Sequence, residues 1–146
     1  IYLSFNIKAH NCNDPDCQAN PICDTLCTPQ TNAYCGLSTY WTTGGIGSTD
    51  VVDTYSCSPQ IFDGSEVVYT FNAQATQLVS VSLPEFFPGA NILILQEQQG
   101  ACNGAYCITT GQVFTSFFAV AGATYYIVVD GQFGTEGDYK INIACE

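Results

Sequence analysis

The chain has 146 residues, with two basic side chains against thirteen acidic ones and a formal net charge of −11. That balance excludes a nucleic-acid partner, whose phosphates demand basic groups, and adhesion to an anionic membrane surface. An apolar fraction of 47% supports a globular domain with a sizeable core, and no run of about 18 apolar residues is present to insert into a bilayer.

Tyr, Phe, Val, Ile and Thr are abundant, so the composition leans towards strand. There is no methionine, so Ile1 is read as a processed end with a leader removed. Nine cysteines beside two basic residues fit an oxidising, extracellular setting. The expectation is a secreted protein.

The first nine residues, IYLSFNIKA, alternate cleanly. Ile1, Leu3, Phe5 and Ile7 fall on one face, and Tyr2, Ser4, Asn6 and Lys8 on the other. Such a strand either pairs within its own sheet or adds to the sheet of a neighbouring subunit. Burying four large apolar side chains contributes about 6–12 kcal/mol, whereas ordering the backbone costs roughly 9–18 kcal/mol. Backbone pairing or a covalent lock has to close that gap.

Residues 10–36 hold five of the nine cysteines and three prolines, with almost no hydrophobic periodicity. They read as a disulfide-stapled linker or knot with little regular structure. Cys12, Cys17, Cys23, Cys27 and Cys35 contain no CxxC pair, which argues against a zinc ribbon. Asn13, Asp14 and Asp16 crowd hard oxygen donors that suit calcium as a possible cofactor. The same Asx-Pro cluster also makes turns, which is the simpler reading.

Residues 37–60 mix aromatic and small polar side chains, with glycines at 44, 45 and 47 marking a loop and Val51 to Tyr55 predicted as a short strand. Trp41 is read as a partly buried packing anchor, with a sugar platform as the alternative. From Glu66 onwards strands recur at short intervals. EVVYTFNA places Val67, Tyr69 and Phe71 on one face, QLVSVSL alternates, and NILIL suits a buried strand. ACNGAYC reads as an Asn-Gly hairpin turn, and VFTSFFAV as a further strand. TYYIVVD and DYKINI close the chain, joined by the glycine-rich stretch 131–137. The fold class is all-β, an antiparallel jelly-roll-like sandwich. Its organisation is a terminal strand over 1–9, a cysteine-rich linker over 10–36 and the sandwich over 37–146.

SEVVYTFNA, ANILILQ, the spaced Cys102 and Cys107, and the ending AGATYYIVVDGQFGTEGDYKINI together resemble the bacterial pre-peptidase C-terminal domain, over about residues 57–145. The YYIVVDG-to-GDY ending is the most specific part. Glu66 stands where that family often has Asp. The resemblance implies a jelly-roll-like sandwich that is usually a non-catalytic accessory domain of secreted enzymes. Some members bind calcium or insoluble polymers, and related sandwiches serve as subunits of extracellular filaments.

Cys102 and Cys107 flank a tight turn and are expected to bridge, and Cys57 with Cys145 to close the sandwich. Five cysteines then remain, and an odd count means a free thiol or an intermolecular bridge. The bridge is favoured, because a free thiol is exposed to oxidation in such a medium. The only histidine, His10, sits in the cysteine-rich segment near Cys12, whose expected fate is a structural disulfide, so no nucleophile-base pair is expected and the protein is not read as an enzyme. The functional expectation is a subunit of an extracellular filament, assembled with itself head to tail by donation of the first strand. The rival is an accessory module that binds calcium or a polymer.

Overall fold

The computed structural model describes residues 26–45 and 47–146 of the chain. The described part is a two-sheet sandwich. Its strands are β1 (Thr31–Ala33), β2 (Ser38–Thr42), β3 (Val67–Asn72), β4 (Gln77–Glu85), β5 (Ala90–Gln96), β6 (Cys107–Gly111), β7 (Phe114–Ala119), β8 (Thr124–Gly131) and β9 (Asp138–Cys145). One sheet has the order β1-β3-β8-β5-β6, the other β2-β9-β4-β7. All pairings are antiparallel except β1 with β3. Between consecutive strands, every connection except β5 to β6 passes from one sheet to the other.

Alternation explains the core between the sheets. Val67, Tyr69 and Phe71 of β3 and Ile127 and Val129 of β8 point inward, and meet Val79 and Val81 of β4 and Ile141 and Ile143 of β9. Tyr69 and Tyr139 share a hydroxyl–hydroxyl hydrogen bond of 2.6 Å across this layer, giving both buried phenols a partner. Phe117 of β7 stands edge-on to Phe71, with ring centroids 6.0 Å apart.

A second core lies on the outer face of the five-stranded sheet. Val68, Leu93, Leu95 and Val128 point away from the sandwich, and Val52, Tyr55 and Phe62 cover them. This is why Ile92 to Leu95 and YYIVV are apolar at every position: both faces of those strands are buried.

The short strand predicted at Val51 to Tyr55 does not form; the segment runs as an irregular cover with isolated bridges at Thr49–Glu66 and Tyr55–Ser58. Its backbone is satisfied in part by a side chain, since the Val51 amide donates to the Glu66 carboxyl at 3.0 Å. Nor does ACNGAYC make a hairpin turn. The Asn103 side chain accepts from the Ala105 amide and caps a 3-10 turn, Gly104–Tyr106, that leads into β6.

The glycine-rich stretch between β8 and β9 crosses between the sheets. A Cβ on Gly131 or on the facing Gly64 would run into the Thr135 carbonyl oxygen, so glycine is required for that close approach.

Candidate functional site

Three features stand out beyond packing: a set of buried acids, the disulfides, and an exposed apolar ridge. The acids sit where the covering segment meets β3 and β8. Glu66, at the start of β3, is fully buried and accepts from the Thr49 hydroxyl at 2.6 Å and the Val51 amide. Burial raises its pKa to about 8, against the opposing pull of those hydrogen bonds. Asp130, near the end of β8, accepts from the Tyr55 hydroxyl at 2.6 Å and the Gly131 amide at 2.7 Å. Burial, then the nearby Glu66 carboxyl, push its pKa well above the usual carboxylate range. Both carboxyls are engaged by internal donors. Among the described residues no group of three or more His, Cys, Asp or Glu side chains stands together as a metal site.

The disulfides correct the sequence-based pairing. Cys102 does not bridge Cys107, nor Cys57 Cys145. The bonds are Cys27–Cys102, Cys35–Cys145 and Cys57–Cys107, with Cα separations of 5.2, 5.5 and 5.2 Å. The reason lies in the tertiary register. β2 pairs with β9 as Ser38 opposite Asn142, and the Gly36 amide donates to the Ile143 carbonyl, so Cys35 arrives beside Cys145. The 3-10 turn after Asn103 separates the directions of Cys102 and Cys107. Cys107 instead meets Cys57, where its amide donates to the Ser56 hydroxyl. The predicted strand residues Ile1, Leu3, Phe5 and Ile7, the predicted calcium ligands Asn13, Asp14 and Asp16, and Cys12, Cys17 and Cys23 lie outside the described residues.

The ridge runs along β7. Phe114 and Phe118 are 57% and 63% exposed, and Val120 follows in the same row. Leu78 of β4 pairs beside Phe118 and extends the ridge across the sheet. VFTSFFAV carries the signal for this: Phe117 and Phe118 are adjacent on a strand, so only one of them can face the core. On the opposite edge Trp41 is 45% exposed on β2, more open than a packing anchor. Its neighbour Tyr40 donates to Glu85 at 2.7 Å, with the Lys140 ammonium 5.3 Å from the ring centroid.

No known family profile and no curated protein matches the sequence. Solved structures do match. The pre-peptidase C-terminal domain of collagenase from Bacillus anthracis is 17% identical, covering 80% of this chain and 97% of its own, with a TM-score of 0.50. The fold is that of a pre-peptidase C-terminal domain-like β-sandwich. PliG from Aeromonas hydrophila, a periplasmic inhibitor of g-type lysozyme, is 16% identical over 82% of this chain and 100% of its own, with a TM-score of 0.47. On this pre-peptidase C-terminal-like sandwich the resemblance over residues 57–145 spans β3 to β9. The cysteine-rich segment is an addition, and two disulfides, from Cys27 and Cys35, tie its C-terminal part to the sandwich. Three disulfides fit a chain that matures in an oxidising compartment. Among the described residues no helix is long and apolar enough to cross a membrane.

Proposed function

We propose that the chain is a non-catalytic structural subunit of an extracellular filament or surface polymer, in which the first strand of one subunit adds to the sandwich of the next. Cysteine parity carries this reading. Six of the nine cysteines pair among themselves, so Cys12, Cys17 and Cys23 remain, and three thiols allow at most one further bridge between them. At least one sulfur then has no partner among the nine cysteines, and on this reading it bonds to a second chain and is not a free thiol. All three lie just past the amphipathic strand Ile1 to Ala9, where a disulfide would lock a docked strand in place. Closing that bond joins two thiols and passes two electrons and two protons to an oxidant of the compartment.

Among the described residues, two hydrophobic cores and three disulfides already form. Removing residues 1–9 is therefore expected to leave the fold standing while abolishing polymers, as read by electron microscopy and light scattering. Non-reducing electrophoresis of the complete chain should show a ladder that collapses with reductant. A truncated chain that still polymerises would sink the reading. A monomeric complete chain that binds calcium or a polysaccharide saturably would favour the accessory-module alternative.

A further inference from the structure

Resting on that reading, we infer that the acceptor of the donated strand is the open edge of β7, and that the occupant is residues 1–9 of a second copy. Among the described residues four strands end their sheets: β1, β2, β6 and β7. β1 offers three residues before the chain leaves at Tyr34. On β2, Ser38 is already engaged with Asn142, and Tyr40 with Glu85 and Lys140. β6 offers a single strongly exposed apolar side chain, Ile108. β7 offers six residues of backbone, pairs among the described residues only with β4, and carries Phe114 and Phe118 on its outer face, with Ser116 between them and exposed Val120 just past its end.

The match between donor and acceptor is one of period. Outward positions recur every second residue, at Phe114, Ser116 and Phe118 on β7 and at Val120 just past its end, as do Ile1, Leu3, Phe5 and Ile7 in the terminal sequence. Side chains directly opposite on neighbouring strands stand about 4.5–5.5 Å apart, so four donor side chains lie along this row of four. Leu78 already fills the other side of Phe118. An added strand would thus enclose Phe118 between two apolar neighbours and satisfy the free N–H and C=O groups of the edge, which aromatic, uncharged β7 does nothing to protect. Charge agrees as well. Lys8 is one of only two basic residues, and an acid stands at one end of the ridge: Glu146, whose amide donates to the Leu78 carbonyl.

Sixteen residues, 10–25, separate the donor sequence from the described fold, a contour length of at most roughly 50 Å. The test uses two variants of the complete chain. Phe118→Asp spoils the acceptor but keeps the donor; the pair Leu3→Asp and Phe5→Asp spoils the donor but keeps the acceptor. Phe118 is exposed, so the first variant keeps its fold, which near-ultraviolet circular dichroism checks. Light scattering should show each variant alone associating about tenfold more weakly than the unaltered chain, or less. An equimolar mixture should form heterodimers and no longer polymers, since only one productive contact is left. If Phe118→Asp assembles like the unaltered chain, the β7 assignment is overturned while strand donation stands. If the donor variant also assembles normally, strand donation itself is overturned. A complete chain that stays monomeric at every concentration means its strand pairs at home, and this too overturns the proposal.

Discussion

The two sheets of this sandwich are used differently. The five-stranded sheet is covered on both faces, by the other sheet and by the segment holding Val52, Tyr55 and Phe62. Among the described residues the four-stranded sheet is covered on its inner face only, and its outer face carries Phe114 and Phe118 in the open beside Ser80, Ser82 and Asn142. Two disulfides, Cys27–Cys102 and Cys57–Cys107, belong to the covered outer face, packed against its second core. One sheet is thus the protein's interior, and the other presents its surface. An exposed aromatic row is cheap to alter for stability and costly for contact, whereas an apolar residue of the covered face is the reverse.

The sharpest way to break this contrast is to release the cover. Replacing Cys27 and Cys102 together by Ser frees a constraint spanning 75 residues, and is expected to cost about 2–5 kcal/mol in urea unfolding of the complete chain. Next comes Leu95→Ala, on the covered outer face, expected to cost about 2–5 kcal/mol by cavity formation. A similar loss from Phe118→Ser would erase the distinction between the sheets.

The buried acids set a pH dependence of intermediate size. Glu66 titrates near pH 8 when folded and near its ordinary 4.5 when unfolded. Between those values the native state holds a proton that the unfolded chain has lost, so its stabilisation is complete below about pH 4.5 and is lost as pH rises through 8. Asp130, also raised, acts in the same direction. Urea midpoints measured from pH 4 to 8.5 should fall, by the equivalent of a few kcal/mol. Glu66→Gln, which cannot ionise, should flatten the slope. A midpoint that rises over this range would contradict neutral buried acids. The smallest effect belongs to the bare face: Phe118→Ser should change stability by no more than about 0.5 kcal/mol.

Much of the sandwich was legible in the chain because alternation is local. The patterns at EVVYTFNA, QLVSVSL, NILIL, VFTSFFAV, TYYIVVD and DYKINI correspond to β3, β4, β5, β7, β8 and β9. β1 and β2 were not legible: TNA is too short to show a period, and STYWT lies at an edge where its polar residues carry no inside-outside signal. The disulfide partners were misread for a related reason. Nearness in sequence favoured Cys102 with Cys107, but the partners are 50 to 110 residues apart and are brought together by strand register and a capped turn. The buried role of Glu66 was hidden too, because its neutrality depends on Thr49, Val51 and a cover folded over them.

By itself the sequence determined the strand-rich class, the core faces of the main strands, the oxidising setting and the odd number of cysteines. Those are properties of composition and of a two-residue period, which a chain carries whether or not it is folded. The tertiary structure alone decided which sheet each strand joins, which cysteines meet, and that among the described residues β7 ends its sheet with Phe114 and Phe118 exposed. Such facts rest on contacts between residues far apart in the chain, and only the completed packing of one sheet on the other brings them about.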